Sequence, residues 1–144
     1  MSDRTVSREL SASEREQLMQ TAIQALDSAY APYSQFKVGA AVLTSTGAIF
    51  AGCNVENASY GLSICAERNA IANAIIGNSR DTGRDTIEIV AIAITNSQNV
   101  PCSPCGACRQ VIWEFGQDAQ VIFQGSQGWQ TSTIKDLLPE GFAL

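Results

Sequence analysis

A chain of 144 residues with a net charge of −5, 45% of them hydrophobic and 16% charged, can bury about 68–70% of its unfolded surface around one core, so neither disulfide staples nor a second domain is needed. The acidic balance excludes the basic face that follows a nucleic-acid backbone, and a small-molecule substrate with no nucleic-acid partner is expected instead. The polar start, Met1 to Leu10, reads as a loosely ordered arm and not as a secretory or membrane segment, and the longest apolar run, Ile89 to Ile94, is far below the roughly 20 residues that span a bilayer, so a cytoplasmic protein with no membrane partner is expected.

Ser11-Ala-Ser-Glu14 and Ser13-Glu-Arg-Glu16 both read as capping boxes ahead of Leu18, Ala22, Ile23, Leu26 and Tyr30 at helical spacing. They predict a first helix from about Glu14 to Ala29, stopped by Pro32. Tyr33-Ser-Gln-Phe36 is a loop into an apolar run from Val38 to Leu43, and Ser45-Thr-Gly47 turns the chain into a second strand from Ala48 to about Val55, making a hairpin. Asn57 to Gly61 is loop chemistry. From Cys65, the apolar residues Ala66, Ala70, Ile71, Ala74 and Ile75 recur at helical spacing up to Gly77-Asn78, where the helix is expected to end. The β-branched run from Thr86 to Thr95 reads as a central strand buried on both faces.

A rigid loop from Asn99 to Pro104 then delivers the chain to a helix from about Gly106 to Phe115, with Trp113, Phe115 and Phe123 expected on core faces. Val121 to Phe123 is a strand, Gly125 to Gly128 a turn, Trp129 to Ser132 a short last strand, and Thr133 to Leu138 a capped helical turn halted by Pro139. The order α, β, β, α, β, α, β, β, α implies an α/β fold, a three-layer α/β/α sandwich around a mixed five-stranded sheet, in one domain over residues 1–144.

Five cysteines, Cys53, Cys65, Cys102, Cys105 and Cys108, occur in a chain with no histidine. The odd number argues for metal or redox chemistry over a disulfide framework, and any metal site must be built from sulfur and carboxylate. Cys65-Ala-Glu-Arg68 and Pro104-Cys-Gly-Ala-Cys108 both place sulfur at a predicted helix N-terminus, where free amides and the helix dipole favour thiolate. Cys105 and Cys108, three apart on one turn, share a face and can chelate one ion. Three protein ligands leave the fourth position of a tetrahedral zinc for water, which is a catalytic count. Glu67 sets a carboxylate beside that metal as a proton shuttle. The two segments match the three-cysteine form of the zinc-deaminase signature. Three thiolates on a divalent zinc leave a formal charge of minus one, and a guanidinium donating to sulfur, from Arg68 or Arg109, is expected to offset it.

Other readings stand beside these. Cys53, on a strand pattern, reads as a small apolar side chain. Cys102, Cys105 and Cys108 form an overlapping C-x-x-C-x-x-C that suits an iron–sulfur cluster or, with Cys65, a closed four-sulfur structural zinc. A redox C-x-x-C would need the strand-to-motif layout of a thioredoxin-like domain, which is missing. Glu67 alone would be a first-turn glutamate on a helix dipole, and Asn54 and Glu56 alone would be ordinary strand-end polar residues.

The chain resembles the small homotetrameric cytidine deaminases over nearly all its length. The likeness runs through Tyr30-Ala-Pro-Tyr-Ser-Gln-Phe-Lys-Val-Gly-Ala-Ala41, Gly52-Cys-Asn-Val-Glu-Asn-Ala-Ser-Tyr60, Cys65-Ala-Glu-Arg68, Ser103-Pro-Cys-Gly-Ala-Cys-Arg-Gln110 and Leu137-Leu-Pro-Glu-Gly-Phe142. The resemblance implies that Cys65, Cys105 and Cys108 bind one zinc per chain and that Glu67 moves the protons. It implies that Phe36 packs on the pyrimidine ring, that Asn54 and Glu56 hydrogen-bond the ribose, and that Ala58 and Tyr60 lie in the matching substrate loop. Phe142 matches an aromatic that reaches a neighbouring subunit's site, so a homotetramer with sites completed across subunits is implied. The implied reaction is hydrolytic deamination of cytidine or 2′-deoxycytidine to uridine or 2′-deoxyuridine with release of ammonia, the chemistry of pyrimidine salvage. Blasticidin-type deaminases share the zinc motifs but are less alike from Asn54 to Tyr60. A non-catalytic module with a closed sulfur site is the alternative from a different class.

Overall fold

The computed structural model describes residues 8–82 and 86–144. Most of the expected N-terminal arm lies outside the described residues. Where the chain enters them, Arg8 pairs with Glu14 at 2.7 Å and Leu10 packs on the core beneath the first helix. That helix, α1 (Ala12–Ala25), is started by the first of the two candidate boxes: the Ser11 hydroxyl accepts from the Glu14 amide at 3.0 Å and the Glu14 carboxylate accepts from the Ser11 amide at 3.1 Å. Such a pair stabilises a helix start by about 1 kcal/mol. α1 therefore begins two residues earlier than the expected Glu14. Its last turn, Leu26–Ser28, tightens to a 3-10 turn, and Ala29 is extended, so Tyr30 lies outside the helix and is exposed.

The remaining elements are β1 (Val38–Thr44), β2 (Ile49–Cys53), α2 (Ala66–Thr82), β3 (Ile89–Asn96), α3 (Gly106–Phe115), β4 (Gln120–Gly125), β5 (Gly128–Thr133) and α4 (Ile134–Leu137). They form one mixed sheet in the order β2-β1-β3-β4-β5, with β3 and β4 parallel and the other neighbours antiparallel. β3 is the central strand, buried at every position, as its β-branched run predicts. Side chains alternate across the sheet with the period of two that a strand imposes. Ala41, Leu43, Ala91, Ala93 and Ile122 meet Leu18 and Ala22 of α1 on one face. Ala40, Val42, Ile92, Ile94, Val121 and Phe123 meet Ala70, Ile71, Ala74, Ile112 and Ile134 of α2, α3 and α4 on the other. This is the expected three-layer sandwich. Trp113 and Phe115 are partly buried against the second of these cores. Among the described residues no helix is long and apolar enough to cross a membrane.

Two glycines set the distance between α2 and the hairpin. At Gly52 a Cβ would lie 2.2 Å from the Ala70 nitrogen, so the first turn of α2 rests directly on the backbone of β2. At Gly77 a Cβ would lie 2.1 Å from the Phe50 ring. Gly77 is thus a contact residue and not the expected helix end, and α2 continues to Thr82. The apolar stripe and the glycine together mimic a C-cap, whereas the side chain that fills the space of the missing methyl comes from β2.

Candidate metal centre and active site

Four segments converge at one end of the sheet, where β1 begins, β2 and β3 finish, and α2 and α3 both start. Helix starts facing strand ends are where α/β proteins bind ligands. A cavity of about 220 Å³ lies there. Val38 and Ile94 line it from the strands, and Asn54 and Glu56 from the segment after β2. Ser63, Ile64, Cys65, Ala66 and Glu67 line it from the entry to α2, and Cys102, Ser103 and Cys105 from the loop before α3.

Cys65 immediately precedes α2, Cys105 is the N-cap residue of α3, and Cys108 is in the first turn of α3 with no solvent exposure. The three sulfurs all lie within 4.8 Å of one another, Cys65 and Cys105 at 3.9 Å. Tetrahedral thiolate ligation at a zinc–sulfur length of about 2.3 Å requires sulfurs about 3.8 Å apart, a spacing that the Cys65–Cys105 pair already has and to which the whole cluster lies close. All five cysteines are free thiols. Arg68 Nη2 lies 3.6 Å from the Cys65 sulfur. Hydrogen bonding from Cys108, together with the Arg68 guanidinium, pulls the Cys65 thiol well below its ordinary value. The same hydrogen bond, with burial, pushes Cys108 up. Cys65 is thus the ligand favoured for ionisation, and binding of the ion must also displace the proton that Cys108 holds.

Glu67 is 4% exposed. Burial, reinforced by the Cys65 thiolate, pushes its carboxyl above the ordinary carboxylate range. It is not one of the three clustered ligands. A carboxyl whose proton affinity is raised by burial, lining the cavity that holds the sulfurs, is the kind of group that serves as both acid and base.

Arg109 departs from expectation. Its guanidinium donates to the Pro104 carbonyl at 2.7 Å, the Leu137 carbonyl at 2.9 Å and the Ser103 hydroxyl at 3.0 Å, so its nitrogens are turned away from sulfur. It ties the loop carrying Cys105 to the end of α4, while Arg68 alone of the two donates to a cysteine.

The zinc-binding region of cytidine and deoxycytidylate deaminases, as a family model, matches residues 12–124. The chain belongs to this deaminase family. A cytidine deaminase from Halalkalibacterium halodurans is 45% identical over 90% of this chain and 94% of its own length. The crystal structure of cytidine deaminase from Burkholderia pseudomallei, 44% identical, aligns with a TM-score of 0.74 over 88% of this chain and 98% of that one. A blasticidin-S deaminase from Bacillus cereus is 34% identical over 71% of this chain and 74% of its own length. Zinc is therefore the metal that the three-sulfur cluster of this deaminase is built for.

The residues expected to hold the nucleoside divide into two groups. Asn54 and Glu56 line the deaminase cavity, and both also brace it. The Asn54 carbonyl oxygen accepts from the Val38 amide at 2.8 Å and its nitrogen donates to the Phe36 carbonyl at 2.8 Å, leaving one amide hydrogen unassigned. The Glu56 carboxylate accepts from the Ser34 hydroxyl and from the amides of Tyr33 and Ser34 at 3.0 and 3.2 Å. The Ser34 hydroxyl, with these amides, holds the Glu56 carboxyl below its ordinary value. Phe36 is half-buried beside this brace, Ala58 and Tyr60 are exposed, and Phe142 is 64% exposed. None of these four lines the cavity within one chain.

Sequence reading passed over Asn96, which is buried at the end of β3. Its side chain donates to the Val100 carbonyl at 2.8 Å and accepts from the amides of Gln98 and Val100 at 3.1 and 3.2 Å. It folds the loop that leads to Cys102. A polar residue closing a run of seven apolar and β-branched ones was the available signal. Cys102 lines the cavity of the deaminase but stands outside the clustered sulfurs. Its amide donates to the Gln124 carbonyl at 2.9 Å, and burial pushes its thiol up. Cys102→Ser is expected to retain one zinc per chain by metal analysis. Loss of zinc in that variant would make the site a closed four-sulfur one.

Proposed function

We propose that this chain is a zinc-dependent cytidine deaminase acting on free nucleosides, cytidine and 2′-deoxycytidine. One observation carries the substrate class: the cavity holding three thiol sulfurs and a buried carboxyl is also lined by Asn54 and Glu56 and, among the described residues, by no lysine or arginine. A nucleotide's phosphate would meet the Glu56 carboxylate with no cation to offset it, whereas sugar hydroxyls find an acceptor and an amide donor. Net charge supports a small ligand over nucleic acid.

Zinc held by Cys65, Cys105 and Cys108 supplies a Lewis acid that lowers the pKa of water. Glu67 takes the proton released as water adds to C4, and its raised proton affinity suits it to pass that proton to N3. The same carboxylate accepts the second proton of the adding oxygen and delivers it to the amino nitrogen, so that the C4–N bond breaks and ammonia leaves. Arg68, beside Cys65, draws charge from the sulfur. Phe36 supplies the apolar face for the base, and Asn54 and Glu56 orient the sugar. Free thiols at the ligand positions suit a reducing, cytosolic setting. Ammonia release and product analysis test this directly. Cytidine should be converted to uridine and deoxycytidylate left unchanged, and the reverse preference would overturn the nucleoside reading.

The assembly we propose is a homotetramer. Tyr30, Tyr33, Val55, Tyr60, Leu62 and Ile64 are exposed on segments adjoining the cavity lining, an apolar surface of the kind that a second copy covers. The tail supports it as well. Gln110 of α3 donates to the Phe142 carbonyl at 2.8 Å and accepts from its amide at 3.2 Å, which holds the backbone while the ring stays exposed. Phe142→Ala is expected to raise KM for cytidine by about tenfold with zinc content unchanged, as a contact to the base and not to the metal would. A fully active monomer by light scattering would refute the cross-subunit role.

A further inference from the structure

β2 is an outer strand, hydrogen-bonded to β1 on one side only, so alternate carbonyls point away from the sheet. Two of them are taken by asparagines one turn apart on α2. Asn73 Nδ2 donates to the Ala51 carbonyl at 2.9 Å, and Asn69 Nδ2 donates to the Cys53 carbonyl at 2.8 Å. The chemistry is the same, but the two ties end in different places. Asn73 joins the middle of β2 to the body of α2. Asn69 lies two residues past Glu67 and donates its own amide to the Cys65 carbonyl at 3.2 Å, while Cys53 immediately precedes Asn54.

We propose that Asn69 is a positioning residue: by fixing the first turn of α2 to the end of β2, it sets the spacing between the Cys65 and Glu67 group and the Asn54 and Glu56 wall of the same cavity. The wall is already tied to β1 through Asn54 and to residue 64 through paired amide bonds between Val55 and Ile64 at 3.0 and 2.9 Å. Farther along α2 the strand is keyed by Phe50 against Gly77 and by the Asn73 bond, but where the first turns of α2 cross β2 the strand carries Gly52, which has no side chain to key them against sliding. The Asn69 bond supplies the lateral register at this end. A nucleoside spanning both walls senses their separation, because small misplacements of binding groups are costly.

The inference rests on the deaminase reading, and its test compares zinc-loaded, full-length Asn69→Ala and Asn73→Ala with the parent in zinc content, melting temperature, kcat and KM for cytidine. Both variants lose one bond to the sheet edge and should melt lower while keeping one zinc per chain. Asn69→Ala should raise KM about tenfold with kcat changed by less than about threefold, and Asn73→Ala should stay within about twofold of the parent in both. Asn69→Gln, which restores a donor, should recover part of the lost affinity. Equal KM values in the two alanine variants, raised or not, would reduce Asn69 to a strand-edge cap and overturn the proposal. If Asn69→Ala does not fold, the pair Asn69→Ser and Asn73→Ser decides by the same comparison. A parent that does not deaminate cytidine would refute the deaminase reading itself.

Discussion

Glu67→Gln is expected to fold, hold zinc and bind cytidine, while its turnover falls by at least roughly 10³-fold. With no histidine in the chain, the proposed mechanism assigns every proton transfer in turn to this buried carboxyl. A group used once contributes about 10²–10⁴-fold, so repeated use sets the expectation at the upper end, a barrier increase of about 4 kcal/mol or more. The amide keeps the shape of the side chain and removes only its ability to ionise. A stability effect of opposite sign should accompany the loss. Burial raises the Glu67 pKa above its ordinary 4.5, so its contribution to stability is present at low pH and is lost as pH rises through the folded value. The glutamine variant escapes that loss. In metal-free form it should melt above the parent near neutral pH, with the gap closing as pH falls into the ordinary carboxylate range. Turnover within about tenfold of the parent would leave Glu67 as a helix-dipole residue.

Cys108→Ser should remove the metal and with it the activity, by more than about 100-fold at ambient zinc. Cys108 has no exposure and lies within the first turn of α3, so no water or flexible neighbour can take its place in the cluster. Two sulfurs remain, one of them exposed at the N-cap, and a hydroxyl is a poor ligand for a borderline-soft ion. Because metal binding is coupled to the folded state, the variant should also melt lower than the parent and stop responding to added chelator. Full zinc content in this variant would mean that Cys102 had entered the ligand set. The paired result, zinc lost in Cys108→Ser and kept in Cys102→Ser, separates an open three-sulfur site from a closed four-sulfur one.

The layers and the metal cluster were legible in the chain because each is written in local pattern. The β-branched run before Asn96 specifies a strand buried on both faces, and α3 begins and ends where its apolar spacing says it should. Cys105 and Cys108 could be paired from spacing alone. What local pattern cannot carry is the partner of a long side chain. Arg109 sits one residue from a ligand, yet its guanidinium reaches back to the 103–104 loop and across to Leu137, contacts that exist only once α4 has docked. Gly77 reads as a helix end until Phe50 of β2 is seen against it. Asn54 and Glu56 were singled out through family likeness and do line the cavity, but their bracing of Phe36 and the Tyr33–Ser34 turn depends on a hairpin returning beside a loop roughly twenty residues earlier.

The most direct test of the account measures deamination as a function of zinc occupancy on one purified sample. Zinc is stripped with a chelator and returned in steps while metal per chain and uridine formed from cytidine are recorded together. Activity should be absent without metal, rise in proportion to zinc, and level off at one ion per chain. Deamination by the metal-free protein, or a fully loaded protein that releases no ammonia from cytidine, would contradict it.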